Sequence, residues 1–157
     1  MFALHLRRWG IAYLAIVLAA VLFKAHFVFG INSSTSLPQR VFLIHRGVAP
    51  ARGQYVAFRW EGGGPHPAGT TFVKILAGLP GDTVTCIERD FFVNGEFVGT
   101  AKAQSSSGTP LDAASAGVIP PGRYFVRAPH PDSLDSRYRL PGLIVQSQII
   151  GRAYALF

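Results

Sequence analysis

The sequence predicts a mainly β protein, a single compact β domain preceded by one N-terminal transmembrane helix. Three observations carry that expectation. The chain opens on an apolar run without a charge, Trp9 to Phe23. After Pro38 the helical pattern stops and does not return. From there, short runs of β-branched and aromatic residues alternate with Gly- and Pro-rich turns, which is the pattern of a compact all-β domain.

At the N-terminus, Arg7 and Arg8 precede the apolar run, Lys24 and His26 interrupt it, and Phe27-Val28-Phe29 resumes it. The uncharged core alone is short for a hydrocarbon layer of about 30 Å, which asks for about 20 residues. Extending it to Ile31 makes it long enough, with Lys24 snorkelling to the far interface. The expected organisation is therefore a cytoplasmic N-terminus over 1–8, a transmembrane anchor over 9–31 and an outside domain over 32–157. The orientation follows from the positive-inside rule, and Trp9, Phe27 and Phe29 suit the two interfaces. A cleaved signal peptide shares the basic start and apolar core, but Phe23-Lys24-Ala25-His26-Phe27 offers no small-x-small cleavage site. A buried helix of a soluble protein is a third reading.

Beyond Pro38, Val41 to His45 reads as a strand, followed by turn material from Arg46 to Gly53. Gln54 to Trp60 is a second strand, Glu61 to Gly69 a loop, and Thr70 to Ala77 a third strand. Gly78-Leu79-Pro80-Gly81-Asp82 is a turn leading into Thr83 to Ile87. Asn94-Gly95 between Phe91-Phe92-Val93 and Glu96-Phe97-Val98 is a strong hairpin signal, because both turn residues must take positive φ. Gly99 to Pro121 is a polar loop or flap with room for a short helical turn. Arg123 to Ala128 is a strand, Pro129 to Pro141 irregular, and Leu143 to Ala155 strand-like.

The 157 residues suffice for one domain plus an anchor. Arg7, Arg8 and Lys24 supply part of the net charge of +7. What remains is too mild for a nucleic-acid surface, which needs a basic stripe with interleaved aromatics, and fits a protein beside anionic lipid. Cys86, the single cysteine, excludes an intrachain disulfide and a Cys-rich metal site, and its strand-like setting reads as a small buried hydrophobe. The glycines between Glu61 and Gly69 are not a phosphate loop, since no Gly-Lys-Ser/Thr and no helix follow. Nothing in the chain calls for a metal or a cofactor.

Hydrolytic chemistry is narrowed by what is missing. There is no His-Glu-x-x-His, Cys-x-x-Cys or Gly-x-Ser-x-Gly. The histidines at 5, 26, 45, 66 and 130 are scattered, leaving at most a triad of His130 with Asp132 or Asp135, unusually close in sequence. Past the anchor stand two lysines. Lys102, in Ala101-Lys102-Ala103-Gln104-Ser105, reads as an ordinary solvated position. Lys74, in Thr71-Phe72-Val73-Lys74-Ile75-Leu76, shares a strand face with Phe72 and Leu76. Apolar surroundings disfavour its ammonium and lower its pKa, which makes it a competent base for a serine hydroxyl. The plainer alternative is an edge-strand lysine that reaches water. Likewise, Asn32-Ser33-Ser34-Thr35-Ser36-Leu37-Pro38 taken alone is hydroxyl-rich juncture filler.

Three blocks, in order, change that balance. Ser34-Thr35-Ser36-Leu37-Pro38 is like a Ser-x-Ser-Met-x-Pro block. Lys74-Ile75-Leu76-Ala77-Gly78-Leu79-Pro80-Gly81-Asp82 is like Lys-Arg-x-x-Gly-x-Pro-Gly-Asp. Ser133-Leu134-Asp135-Ser136-Arg137-Tyr138 is like Ser-x-Asp-Ser-Arg. Together they resemble the type I signal peptidase family, and more closely its small conjugal-transfer branch, the TraF-like pilin-processing peptidases; Ile150-Gly151-Arg152-Ala153 also looks like that branch. The resemblance covers nearly all of the chain past the anchor and implies a signal-peptidase-like β domain on the periplasmic side of the bacterial inner membrane. It implies Ser36 as nucleophile, Lys74 as general base, and an oxyanion hole from the Ser34 hydroxyl and the Ser36 backbone N–H. Ser133 would orient the lysine, Asp135 and Arg137 would brace the site as an ion pair, and Gly78, Pro80, Gly81 and Asp82 would form the turn holding the lysine strand.

The chain departs from the housekeeping enzymes' pattern at Leu37, at the early Pro38, at Ile75 and at Pro129-His130-Pro131-Asp132. The spacing between Lys74 and Ser133 leaves no room for the large second β domain some relatives carry. These departures favour the conjugal-transfer branch. The expected function is a membrane-anchored serine endopeptidase that cleaves a precursor at the outer face of the inner membrane, with a conjugative pilin precursor as substrate and pilin cyclisation as a further outcome. The expected partners are that pilin or another preprotein, inner-membrane lipid, and components of a conjugation or type IV secretion system. The alternative is a non-catalytic anchored component of a conjugation or secretion channel. A soluble self-cleaving Ser–Lys repressor-like domain is disfavoured by the anchor and by the lack of a DNA-binding helix pair.

Overall fold

The structure, a computed structural model, describes residues 2–157. Met1, the first residue of the segment expected to be cytoplasmic, lies outside the described residues, as does the side chain of Arg7. One helix, α1 (Phe2–His26), precedes eleven strands. These are β1 (Phe27–Ile31), β2 (Val41–Arg46), β3 (Tyr55–Arg59), β4 (Thr71–Gly78), β5 (Thr83–Ile87), β6 (Asp90–Val93), β7 (Glu96–Thr100), β8 (Gly117–Val118), β9 (Arg123–Arg127), β10 (Ile144–Val145) and β11 (Ile149–Ala155). The fold is mainly β with one N-terminal apolar helix.

Within α1, Arg8–His26 is long and apolar enough to cross a membrane, 19 residues with a mean hydropathy of 1.7. Its apolar side chains, such as Ile11, Leu14, Ile16 and Val17, are exposed on all sides, so no protein core covers them. Lys24 and His26 fall in the last turn, where cations suit the negative end of the helix dipole.

The helix ends sooner than the sequence suggests. Phe27–Ile31, read as the tail of the anchor, is strand β1, paired antiparallel with β2 from Phe27 opposite His45 to Ile31 opposite Val41. Aromatic and β-branched residues suit a pleated surface, and Val28 packs against a buried cluster that includes Phe42 and Ile44. Ladder pairing and burial thus outweigh continued helix. Phe27 stacks between Phe23 of the helix and His45, with ring centroids 5.1 and 4.4 Å away, which seals the helix-to-strand junction.

The strands form two antiparallel sheets, of order β1-β2-β11-β3-β4-β9-β10 and β7-β6-β5-β8. The Asn94-Gly95 hairpin forms with φ of 51° and 81° at its two central residues. The polar stretch from Gly99 to Pro121 contains no helical turn among the described residues; its end forms β8, which pairs with the start of β5. Leu143 to Ala155 is not one strand but β10, a 3-10 turn at Gln146–Gln148, and β11. Cys86 is only partly buried, packed at the margin of the cluster beneath the smaller sheet.

That cluster gathers Phe91, Val93, Val98, Ile119, Phe125 and Tyr138 between the two sheets. The larger sheet is covered on both faces: Leu37, Phe42, Ile44 and Ala57 on one, Val56, Phe58, Leu76 and Val126 on the other. Phe91 is fully buried, whereas Ile87 on the neighbouring strand is 66% exposed. Phe91→Ala is expected to lower unfolding free energy by about 3–5 kcal/mol through lost burial and a residual cavity. Ile87→Ala should stay within about 0.5 kcal/mol of the parent. Urea titrations of the two variants check the contrast.

Candidate active site

β4 is the element on which the site is built. It pairs with β3 from Thr71 to Ile75, but with β9 only from Ile75 onward. The alternation of β4 puts Phe72, Lys74 and Leu76 on one face. Leu76 is fully buried and Lys74 is 5% exposed. The Lys74 amine lies 5.7 Å from the centre of the Phe72 ring and donates a hydrogen bond to Ser133 Oγ at 2.7 Å. Burial is the main cause that pushes its pKa down to about 8; Asp135 opposes the shift and Arg137 assists it. The edge-strand lysine reaching water is thereby excluded.

The hydroxyl-rich stretch after β1 faces the same space. Ser36 is buried at 8% exposure, and the next residue, Leu37, is inserted into the core beside Phe42 and Ile44. The Ser34 and Ser36 hydroxyls lie 2.8 Å apart. The Asn32 side chain receives hydrogen bonds from the Ser34 backbone N–H and hydroxyl and donates to the carbonyls of Leu37 and Gln39. Ser34, Ser36, Lys74 and Ser133 all line one cleft of about 460 Å³. Lys74 is hydrogen-bonded to Ser133 and Ser36 to Ser34, and both pairs line that cleft.

Asp135 and Arg137 lie behind the cleft. Arg137 grips the carboxylate with two hydrogen bonds, Nε to Oδ1 at 2.8 Å and Nη2 to Oδ2 at 2.9 Å, and the two side chains are 3% and 0% exposed. Burial works against the Arg137 charge, but the hydrogen bond and charge of Asp135 outweigh it and raise its pKa above the ordinary value. The pair also holds backbone. Ala128 N–H donates to Asp135, and Arg137 donates to the carbonyls of Thr100 and Ser133. Ser136 clips the same segment to β9 by a reciprocal exchange with Val126. Ser133 is therefore presented by a segment pinned on both sides.

Gly78, Pro80, Gly81 and Asp82 stand at the far end of β4 and do not line the cleft. A Cβ on Gly78 would meet Ile119 Cδ1 at 2.5 Å and Phe125 Cβ at 2.9 Å, so its role is close packing. Pro80 followed by Gly81 at φ 89° suits the central positions of a type II turn, closed by Asp82 N–H to Leu79 C=O. Hydrogen bonding from Arg52 leads the causes that bring the Asp82 pKa down to about 2; the Leu79 N–H and the Asn94 amide add to it.

The His130 triad is not formed. His130 Nδ1 accepts the Asp132 backbone N–H, the Asp132 carboxylate pairs with Lys102, and that of Asp135 pairs with Arg137. Lys102 is exposed, as expected, but it also lines the cleft and pairs there with Asp132. Among the described residues no three His, Cys, Asp or Glu side chains converge where a metal ion could be held. Three residues passed over in the sequence matter here: Asn32, Arg52 and Tyr138, whose buried hydroxyl accepts the Lys102 N–H at 3.0 Å. Asn32 carried a readable signal, since Asn two residues before Ser34 is an Asx-turn pattern. Arg52 looked like turn filler, and its partner 30 positions away has no local signature.

Known proteins resemble this chain along most of its length. The family model for signal peptidase, peptidase S26, matches residues 4–157. The chain is 30% identical over 168 residues to signal peptidase I T of Bacillus subtilis, covering 95% of this chain and 83% of that protein. It is 27% identical over 143 residues to signal peptidase I of Pseudomonas aeruginosa, covering 69% of this chain and 49% of the relative, so it spans about half of that protein's length. A crystal structure of a signal peptidase I from Enterococcus faecalis V583 is 26% identical, with 69% of this chain and 97% of that chain covered and a TM-score of 0.43.

Removing one partner of a buried ion pair leaves an uncompensated charge. Arg137→Ala is expected to destabilise the fold by about 3–5 kcal/mol. The pair of Arg139 with Asp112 is 74% and 65% exposed, and Arg139→Ala should cost less than about 1 kcal/mol. Chemical denaturation of the two variants at neutral pH distinguishes them.

Proposed function

The chain belongs to the signal peptidase family, peptidase S26, a family of serine-type endopeptidases, and we propose that it works as a membrane-anchored peptidase with a Ser36–Lys74 dyad. The observation that carries the reading is the buried Lys74 amine with its lowered pKa, held by Ser133 in the same cleft as Ser36. A lysine neutral near pH 8 needs no histidine to act as a general base.

In the proposed reaction, Ser36 Oγ attacks the substrate carbonyl carbon while Lys74 Nζ takes the hydroxyl proton. The developing oxyanion is met by the Ser36 N–H and the Ser34 hydroxyl. The C–N bond then breaks, the lysine proton passes to the leaving amine, and an ester remains on Ser36. Water attacks that ester with Lys74 again as base, releasing a carboxylic acid and restoring the serine. Ser133 keeps the amine aimed, the Asp135–Arg137 pair keeps Ser133 in place, and the Gly78–Asp82 turn fixes the far end of β4.

The substrate enters as an added strand. Because β9 reaches only to Ile75, the backbone of β4 from Thr71 to Lys74 is unpaired on the side toward β9, and an extended peptide can complete that edge. With Arg8–His26 crossing the bacterial inner membrane and the N-terminus cytoplasmic, the cleft faces the periplasm and meets precursors at the outer face. Within the family we assign the chain to the TraF-like branch, on Leu37-Pro38, Ile75, the Pro129-His130-Pro131-Asp132 lead-in and the short span between Lys74 and Ser133. The substrate is then a conjugative pilin precursor, cut after a small residue. If an amine replaces water in the second step, the same ester yields a cyclic product. Conjugation or type IV secretion components are the corresponding partners.

Ser36→Ala and Lys74→Ala are each expected to abolish cleavage of a pilin precursor by membranes carrying the full chain, with insertion unaffected. Complete processing by the Ser36→Ala protein would sink the dyad. The base must be neutral to act, so kcat/KM should rise with pH along a limb of apparent pKa about 8 and level off above it. A profile flat from well below pH 8 to well above it contradicts the assignment of Lys74. Mass spectrometry of the processed pilin separates linear from cyclic product.

A further inference from the structure

We propose that Asn32 is a positioning residue of the site, setting both the shape of the segment that carries Ser36 and the direction in which its hydroxyls point. The proposal rests on the reading of Ser36 as nucleophile and goes beyond it.

Asn32 is the first residue after β1. Its backbone N–H donates to the Arg40 carbonyl at 2.8 Å, closing the segment at its base. Its side-chain amide nitrogen donates to the Leu37 carbonyl at 3.1 Å and to the Gln39 carbonyl at 3.0 Å. Both amide hydrogens are thereby used, and the acceptors are carbonyls, so the other end of the carboxamide must be the oxygen. That oxygen accepts from the Ser34 N–H at 3.1 Å and from the Ser34 hydroxyl at 2.8 Å. One side chain thus ties together residues on both sides of Ser36.

The polarity of the hydroxyl chain follows. A serine hydroxyl has one proton. With that of Ser34 given to Asn32, Ser34 Oγ can only accept across its 2.8 Å contact with Ser36 Oγ, and it also receives the Ser36 N–H at 3.4 Å. The Ser36 proton is therefore given to Ser34 at rest and not to Lys74, whose amine is engaged by Ser133. Substrate entering the cleft has to turn two hydroxyls, that of Ser36 toward Lys74 and that of Ser34 toward the oxyanion. Through that switch Asn32 keeps its bonds to the Ser34 backbone N–H and to the Leu37 and Gln39 carbonyls, which hold the segment in shape, so its loss should slow the chemical step and leave substrate binding unchanged.

The test uses the full chain in detergent and an internally quenched peptide with an Ala-x-Ala cleavage site. Asn32→Ala removes every contact. Asn32→Asp keeps the shape and the acceptor for Ser34 but puts an oxygen against the Leu37 and Gln39 carbonyls. Each is expected to lower kcat about 10- to 100-fold, as small misplacements of reacting groups do, with KM and melting temperature near those of the parent. If Asn32 acts through Ser34, the Asn32→Ala/Ser34→Ala double variant loses no more than the worse single variant. A parental kcat in either Asn32 variant, or losses that multiply in the double, overturns the proposal. So does a lower melting temperature with a raised KM alongside the lowered kcat in both variants, which assigns Asn32 to the fold alone. Parent and Ser36→Ala run alongside: a parent that does not cleave, or a Ser36→Ala protein that does, defeats the dyad itself and the Asn32 proposal with it.

Discussion

The burial of one amine, that of Lys74, is the constraint around which the domain is arranged. An ammonium taken out of water is disfavoured unless something compensates it, and here the compensation is partial. Ser133 supplies one hydrogen bond. The nearest charged pair acts in opposite senses, Asp135 raising the lysine pKa and Arg137 lowering it, so desolvation prevails. Asp135 alone acts to keep the lysine charged, and Arg137 acts against it. Clamped by Arg137 through two hydrogen bonds, it braces the 129–137 segment and leaves the amine free to lose its proton.

That arrangement has a sign in the stability of the fold. The folded pKa of Lys74, about 8, lies below its ordinary value of 10.5, so between those values the unfolded chain binds more protons than the folded one. Stability then rises with pH across that window, and below it the lysine is a net cost. Asp82 works in the opposite sense at the other end of β4. Its pKa of about 2 lies below the ordinary 3.8, so its contribution is present above the ordinary value and lost as pH falls toward 2. The strand carrying a destabilising lysine thus ends in a stabilising turn. Gly78 lets that turn pack directly on Ile119 and Phe125.

Local chemistry was legible in the sequence and long-range pairing was not. Asn94-Gly95 announced its hairpin because the turn needs two positive φ angles. Lys74 was only half legible from its apolar neighbours, which fit burial but also an edge-strand lysine reaching water; the resemblance of the three blocks tipped the balance. The resemblance of the three blocks groups Ser36, Lys74 and Ser133, and all three line one cleft. Phe27–Ile31 was read as anchor because hydropathy does not distinguish a lipid-facing turn of helix from an apolar strand; only the β2 ladder decides. His130 was eligible for a triad until Lys102 and Arg137 were seen to hold the two aspartates. Asn32 carried a local Asx-turn signal toward Ser34, but its bonds to the Leu37 and Gln39 carbonyls, which close the loop around Ser36, leave no mark in a linear pattern.

The early end of the helix changes how the site relates to the membrane. A helix running to Ile31 would have left Ser36 on a flexible juncture a few residues past the bilayer. Instead α1 passes directly into β1, which is bonded to β2 along its whole length. The hydroxyl-rich segment then starts at the far end of β1, roughly 16 Å from the helix terminus at about 3.3 Å per residue. The junction itself is packed by Phe23, Phe27 and His45. With α1 in the bilayer as proposed, the cleft stands at a set height above it. On the proposed reading, selection of the scissile bond would have two physical sources: side-chain fit in the cleft, and the number of extended residues between the bond and the point where the precursor leaves the membrane.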